Sequence, residues 1–415
     1  MNIQDIYTAY MYSYPHKTAY GKLEGINFHD YKRLLPDFGS SLYFHVPFCS
    51  TKCGYCNLFS VTGQGEDVIA KYISACETQI RQYDIDMKWF KSLIVGGGDP
   101  SILSAKLLHR LLSFAGDDIS VCIEVSPNEI TAEKLDVLKS FNTDRVSIGV
   151  QSFVDSELVT LKRWHNVGSV NRALNMLKPA NFPCLNLDLI YGIPGQSLKS
   201  FEHSICNALD FLPDEIFLYP LYIRMGTKIS EEVVNDDAYH MYIFARDYLI
   251  SHGYNQASMR QFTRKSLNEP KSCGFENMLA IGCGGRSYID NLHFCHPYDV
   301  GKSECLETIG NFISACDKTK VEHGYILSQD ECKRRYVIKN LLYYSGVSLH
   351  EYTAYFDGSI YDDFPIISKL VLDGYAEISE SNVKLTPLGL SLSDYIGTLF
   401  ISNKVKEKML SWKSK

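Results

Sequence analysis

Six short runs rich in β-branched or aromatic residues recur through the first half of the chain. They are SLYFHV (41–46), SLIVG (92–96), SVCIEV (120–125), RVSIGV (145–150), LNLDLIYG (185–192) and EIFLYPL (215–221). The stretches between them have helical periodicity. In EDVIAKYISACETQIRQYD (66–84), Ile69, Tyr72, Ile73 and Ile80 fall on one face at helical spacing, and SAKLLHRLLSFAG (104–116) reads the same way. Strands alternating with helices imply βαβ units and a parallel sheet. Six such units predict an α/β fold, a partial (β/α)6 TIM-like barrel rather than a closed eight.

With 415 residues and 45% hydrophobic content the chain can build such a domain plus one or two smaller units. A net charge of -7 leaves no basic surplus for nucleic acid. No apolar run reaches transmembrane length. The start, MNIQDIYTAY, lacks the basic-then-apolar layout of a signal peptide. A soluble cytoplasmic protein without a membrane partner is the expectation. After about residue 325 the composition shifts. ECKRRYVIKNLLYYSGVSLHEYTAYF (331–356) reads as helical. DGYAEISESNVKLTPLGLSLSDYIG (373–397) reads as two short strands, a polar turn and a helix, which predicts a small winged-helix-like unit.

Thirteen cysteines are scattered along the chain, and ten of them suit the role of small buried hydrophobes. The other three are close together in CSTKCGYC, at Cys49, Cys53 and Cys56. A disulfide would leave one of them unpaired, and a reducing cytosol disfavours it. Structural zinc normally takes four ligands, often as two CxxC-like pairs, and there is no second pair. A [4Fe–4S] cluster held by three thiolates keeps one iron open. An open iron suits the amino and carboxylate groups of S-adenosylmethionine. The triplet directly follows the first strand, at the end where barrel active sites sit.

CX3CX2C with Tyr55 before the last cysteine resembles the radical S-adenosylmethionine superfamily. YFHVPFCSTKCGYC, VGGGDPS, IEVSPNEIT, RVSIGVQSF, NLDLIYGIPGQS and LYPLYIRMGT together resemble its oxygen-independent coproporphyrinogen III oxidase family. That family includes the decarboxylase, related haem chaperones and a methyltransferase class on the same scaffold. The resemblance covers residues 40–295 and extends to the C-terminal unit and to YSYPHKTAY near the start. It implies an N-terminal arm (1–40), a radical SAM partial barrel (41–225), an appended α+β extension that caps the cofactor and substrate (226–325) and a C-terminal domain (326–415).

The resemblance also assigns residues. Cys49, Cys53 and Cys56 would hold the cluster. Gly97, Gly98 and Asp99 would hold the methionine amino group, with Asp99 where threonine is usual. Glu124 would meet the ribose or amine, and Tyr43 and Tyr55 the cofactor. Gln151, Arg163, Asp188 and Leu221 resemble the contacts of a second cofactor molecule, and Arg286 lies in a loop that lines the pocket. The residues alone keep plainer readings open. A GGG run can be a tight turn, Glu124 an ion-paired strand residue, Arg163 a solvated helix arginine, and His45 a satisfied buried histidine on the face of Tyr43. Arg260 and Arg264 read as a basic rim for an acidic substrate or as a solvated face. Arg334 and Arg335 read as the surface of the C-terminal unit.

The pattern departs from the decarboxylase at Leu58, where a fourth cysteine is usual, and at Tyr10, where an arginine is expected. CGFENMLAIGCGGRSYI (273–289) lacks the His-Asn and Trp of the chaperones. Three activities are therefore expected in competition. The first is coproporphyrinogen III oxidase-like radical chemistry on a porphyrinogen. The second is a methyltransferase or cyclopropanase acting on a secondary metabolite with two S-adenosylmethionine molecules. The third is haem carriage. An electron donor such as flavodoxin or ferredoxin is implied for the first two.

Overall fold

The computed structural model describes residues 13–36, 39–116, 118–222, 227, 229, 237–267 and 276–412. They fall into two units, one of residues 20–238 and 276–326, the other of residues 13–19, 239–275 and 327–412. Tyr10 lies outside the described residues.

In the first unit each of the six apolar runs is a strand: β1 (Ser40–Val46), β2 (Phe90–Gly97), β3 (Ser120–Val125), β4 (Thr143–Gln151), β5 (Cys184–Tyr191) and β6 (Glu215–Pro220). They are parallel and adjacent in chain order. A seventh parallel strand, β7 (Met278–Ile281), pairs with the free side of β1. Three antiparallel strands continue the sheet: β8 (Arg286–Ile289), β9 (Leu292–Cys295) and β10 (His323–Ile326). The sequence reading had placed β7 in an appended region. Its four residues, MLAI, carry no alternation that would mark a strand.

The crossovers hold α1 (Glu66–Tyr83), α2 (Ala105–Leu112), α3 (Ala132–Lys139), α4 (Asp155–Thr160), α5 (Val167–Leu177) and α6 (Leu198–Asp210). Polar caps start several of them. The Ser104, Thr131 and Ser197 side chains each accept an N–H of the first turn, and Ser200 reciprocates at α6. Asp84, in left-handed conformation, ends α1. On α1, Ile69, Tyr72 and Ile73 are buried as the periodicity predicts, while Ile80 is only half-buried and Gln79 is buried instead.

Sequential strand order with right-handed crossovers puts all these helices on one face of the sheet. The burial follows. Leu42, Phe44, Leu93, Val95, Val121, Val146, Ile148, Leu187, Leu189, Ile216 and Leu218 are completely buried. Their strand neighbours point the other way. Tyr43, Ile94, Gly149, Asp188, Phe217 and Tyr219 are only half-buried, and Glu124 is exposed although β3 lies in mid-sheet. A parallel strand normally buries both faces. Here the second face is open and partly polar.

The second unit contains the helix Ala238–Ser251, a hairpin of Asn255–Gln256 with Gln261–Thr263, and a winged-helix-like end. The stretch read as one helix over 331–356 is two, Gln329–Leu341 and Leu349–Phe356, parted by a turn and the strand Val347–Ser348. Gly346 forces the break. Its φ is +68°, and a Cβ there would come within 2.3 Å of the Val383 carbonyl. Ser348 then caps the next helix. The Val347–Ser348 strand pairs with Asn382–Leu385, which pairs with Ala376–Ile378.

Arg260 is neither a rim nor a solvated face. Its guanidinium donates to the Asp394 carboxylate, and both side chains are buried within this unit. Among the described residues no helix is long and apolar enough to cross a membrane. Removing one member of a buried ion pair strands the other charge. Asp394→Ala is therefore expected to destabilise this unit by about 3–5 kcal/mol, read as a fall in its urea or thermal midpoint. A shift below about 1 kcal/mol would mean that the pair is solvated.

Candidate functional site

The cysteine loop begins where β1 ends. Phe48–Cys49 pairs in parallel with Val61–Thr62, so the loop leaves and returns at one place. It is pinned from several sides. Gly54 N–H donates to the Leu161 carbonyl at 2.9 Å, Lys52 Nζ to the Val300 carbonyl at 2.9 Å, and Ser50 Oγ to Glu129 Oε1 at 2.7 Å. The Tyr298 hydroxyl donates to the Asn57 carbonyl at 2.7 Å. Cys49, Cys53 and Cys56 are half-buried free thiols. Burial pushes the Cys49 thiol up to about 12, and the charges of Cys56, Asp99 and Cys53 add to this. Burial raises Cys56 too, with Cys53 contributing. The sulfurs are thus close enough for charge on Cys53 and Cys56 to disfavour ionisation of Cys49, and for charge on Cys53 to disfavour that of Cys56, an effect that coordination to a metal reverses. Among the described residues no three His, Cys, Asp or Glu side chains converge as a metal-ion site.

The glycine run at the end of β2 lies flat against this loop. A Cβ on Gly98 would meet the Phe48 carbonyl at 2.6 Å and Cys49 Sγ at 2.8 Å. A Cβ on Gly97, whose φ is +118°, would meet the His45 ring at 2.9 Å, and one on Gly96 would meet Glu124 Oε2 at 3.1 Å and the Tyr43 hydroxyl at 3.2 Å. No side chain fits at Gly97 or Gly98 without displacing a neighbour, and Gly96 is tight, so the run is a close approach rather than only a turn. Asp99 follows as a cap, accepting from Ser101 N–H at 3.1 Å and from the Ser101 hydroxyl. Its carboxyl is raised by burial and pulled back by Ser101. His45 is satisfied. Its Nε2 lies 3.0 Å from the Phe59 carbonyl and so must donate, which leaves Nδ1 to accept from the Tyr43 hydroxyl at 3.2 Å.

Two carboxylates share the open face. The Glu124 carboxyl is pushed up to about 7, first by the protein packed around it and then by the charge of Asp188. Asp188 is raised by burial and eased by Arg145, by Asn186 Nδ2 at 2.8 Å and by Ser147. Beyond them, Arg163 donates from Nη1 to Cys53 Sγ at 3.0 Å and from Nη2 to the Gly149 carbonyl at 3.0 Å, while its buried Nε has no hydrogen-bond partner. Gln151 lies beside it: a Cβ on Gly149 would meet Gln151 Nε2 at 2.9 Å and Arg163 Nη2 at 3.3 Å. Tyr55 packs with Leu221 and Tyr219 against Leu161, Ile190 and Ile193. The structure thus groups Tyr43, Gly97, Glu124 and Asp188, sets Gly98 and Asp99 against Cys49, and joins Cys53 to Arg163, with Gln151 beside Arg163. Arg286 opens β8 with its guanidinium 5.8 Å from the Tyr288 ring centre. Its neighbour Gly285 lies against Tyr43, where a Cβ would meet the ring at 3.1 Å.

Sequence reasoning missed the Gly282–Gly285 turn as a packing surface. Its GCGG run could have been read like the earlier GGG. It also missed Ser101, Glu129 and Tyr72, whose hydroxyl donates to the His45 carbonyl at 2.8 Å. The chemistry on offer is a trio of soft donors, two carboxylates in want of a cation, and an orphan guanidinium N–H in want of an anion.

In the metal-free protein the Glu124 value lies above its ordinary 4.5, so the ionised form is disfavoured by folding. Its contribution to stability is full below about 4.5 and lost as pH rises through about 7. Urea midpoints should decline over that window, and Glu124→Gln should flatten the decline, by under about 1 kcal/mol for so open a group. An unchanged slope in the variant would show that the carboxyl is not shifted.

Residues 43–205 match the profile of the Radical SAM superfamily. The chain is 28% identical over 275 residues to the haem chaperone HemW of Lactococcus lactis, spanning 61% of this chain and 71% of that protein. It is 26% identical to HemW of Bacillus subtilis, spanning 87% and 99%. It is 24% identical to the oxygen-independent coproporphyrinogen III oxidase of Escherichia coli, spanning 85% and 83%. The solved structure of coproporphyrinogen III oxidase (HemN) from E. coli superposes with a TM-score of 0.78 over 95% of this chain and 96% of that one, at 22% identity, and shows the shared fold. Such a domain implies a [4Fe–4S] cluster and S-adenosylmethionine. Residues 43–205 are thus similar to a radical SAM domain, and the proteins that the chain resembles include HemW haem chaperones and HemN-type coproporphyrinogen III oxidases.

Proposed function

We propose that Cys49, Cys53 and Cys56 hold a [4Fe–4S] cluster and that the chain is a radical enzyme of the oxygen-independent coproporphyrinogen III oxidase kind, acting on a porphyrinogen-like small molecule. The observation that carries this reading is the contact of the glycine run with the cysteine loop, 2.8 Å from a Gly98 Cβ to Cys49 Sγ. It brings a bare backbone beside the Cys49 thiol, at the end of the sheet where βα loops gather. Cys49, Cys53 and Cys56 would supply the three thiolates that such a cluster takes from the protein. When bound, the cluster supplies the electron that splits the sulfonium of S-adenosylmethionine and yields a 5′-deoxyadenosyl radical.

The chain's own groups have distinct tasks in this reading. Gly97, Gly98 and Asp99 receive the ammonium of the cofactor, and Glu124 a polar group of its adenosyl half. A cation there would draw the Glu124 carboxyl back down into its ionised range. The orphan Arg163 Nε–H is the donor for a carboxylate. Tyr43, Tyr55 and Leu221 offer apolar surface to the nucleoside, and Arg286 an anion contact near Tyr43. Gln151, Arg163, Asp188 and Leu221 serve a second S-adenosylmethionine. Its presence would open methyl or methylene transfer, the reading favoured by Leu58, whose exposed side chain stands where the decarboxylase has a thiol. Flavodoxin or ferredoxin would deliver the electron.

Anaerobic reconstitution tests the cluster. Alanine at Cys49, Cys53 or Cys56 should remove most of the iron and the charge-transfer absorbance, while Cys206→Ser, on α6, should not. Unchanged iron in Cys53→Ala overturns the assignment. Mass spectrometry after reduction, with S-adenosylmethionine and coproporphyrinogen III, tests the reaction. Deoxyadenosine with a substrate that has lost carbon dioxide supports the oxidase reading. S-adenosylhomocysteine among the products moves the chain to carbon transfer. Neither product, with stoichiometric haem binding, moves it to haem carriage.

A further inference from the structure

The segment LKRWHN that follows α4 contains two side chains, two residues apart, that reach back to the end of β4. Arg163 Nη2 donates to the Gly149 carbonyl at 3.0 Å, and His165 Nε2 lies 3.1 Å from the Val150 carbonyl. The strand is irregular there. Gly149 pairs with Asp188 and Gln151 with Leu189, so Val150 is left without a partner on β5. The next residue, Gln151, has φ +69°, and Ser152 N–H donates back to the Val150 carbonyl at 2.9 Å. Together these describe a γ-turn of the left-handed, strained kind, centred on a residue with a side chain. Strain of this sort persists only where the surroundings over-determine it, and it gathers at functional sites.

The surroundings here are explicit. On one side the Ser152 hydroxyl donates to Glu157 Oε2 at 2.6 Å. Glu157 also accepts from Gln196 Nε2 at 3.0 Å and from Ser200 Oγ at 2.6 Å. On the other side is His165, buried at 3% exposure. A carbonyl only accepts, so the imidazole proton is on Nε2, and Nδ1 is a buried lone pair with no partner. Burial and the adjacent Arg163 hold the ring far below its ordinary value, at about 3, so it stays neutral. An imidazole that leaves one nitrogen unsatisfied is a costly way to fill space, since an apolar side chain would do so without that loss. What it supplies is its one N–H, a second donor to the Val150 carbonyl beside the Ser152 N–H.

We propose that His165 is a positioning residue of the radical site: by holding the strained turn at Gln151 it sets the Gln151 side chain and the Arg163 guanidinium against Cys53. The proposal rests on the cofactor reading above, because Gln151, Arg163 and Cys53 are placed there beside cluster and cofactor. It adds a residue that touches neither.

The test uses the anaerobically reconstituted full chain with two substitutions. His165→Phe fills the space without a donor. His165→Gln puts an amide N–H where Nε2 was. The readouts are iron content, the dissociation constant for S-adenosylmethionine, and the change that S-adenosylmethionine causes in the electron paramagnetic resonance spectrum of the reduced cluster. The expected result is full iron in both variants, roughly tenfold weaker binding with an altered spectrum in His165→Phe, and recovery towards wild type in His165→Gln. Wild-type affinity and spectrum in His165→Phe overturn the proposal, as does a glutamine variant no better than phenylalanine. Should His165→Phe fail to fold, His165→Phe with Gln151→Gly decides. Glycine removes the strain that His165 restrains, so the double variant should regain its thermal midpoint, and a double variant no more stable than the single one overturns the proposal. Wild-type protein that takes up neither iron nor S-adenosylmethionine sinks the cofactor reading instead.

Discussion

Everything at the site depends on which face of the sheet the helices take. Six strands in chain order, joined by right-handed crossovers, leave the helices only one side. That side absorbs the β-branched and leucine half of every strand. The other half is released from the demands of the core. It can hold Tyr43, Glu124, Arg145, Gly149, Asp188 and Phe217 side by side without closing over them. A polar, half-open face in the middle of a parallel sheet is costly unless something occupies it, because its charges are surrounded by protein and short of counter-charge. The raised carboxyls of Glu124 and Asp188 record that loss of solvent first, with Arg145 offsetting it only in part.

The strands were legible because their signal is local. Each expected run coincides with its strand to within two residues, since β-branched residues bounded by Gly, Pro and polar turns leave few other options. The seventh strand was not, because MLAI earns its place from pairing with β1 rather than from any pattern of its own. The helix expected over 331–356 failed for a related reason. The lone Gly346 outweighs the flanking periodicity only once Val383 is seen to press on it. Arg260 was misread because the sequence cannot show that Asp394, far along the chain, is buried beside it.

At the site the division is similar. Cysteine spacing and the glycine run speak for themselves, because the chemistry they serve is carried by type and interval. Glu124 stood out as a charge inside an apolar strand. His165, Glu157 and Ser101 did not stand out. Their positions make sense only after the bulge at Val150 and the cap at Asp99 exist, and both are products of tertiary packing. The cysteines, the glycines and Glu124 were thus easier to find than the residues that hold them still.

The pairing of Phe48–Cys49 with Val61–Thr62 closes the cysteine loop at its neck. A loop clamped at the neck and pinned at Ser50, Lys52, Gly54 and Asn57 has a fixed backbone and keeps latitude only in side chains that face outward. Leu58 illustrates the latitude, an exposed side chain on a segment whose ends are fixed. A change at such a position alters the outer wall of the loop, while the backbone that carries Cys49, Cys53 and Cys56 stays where the sheet puts it.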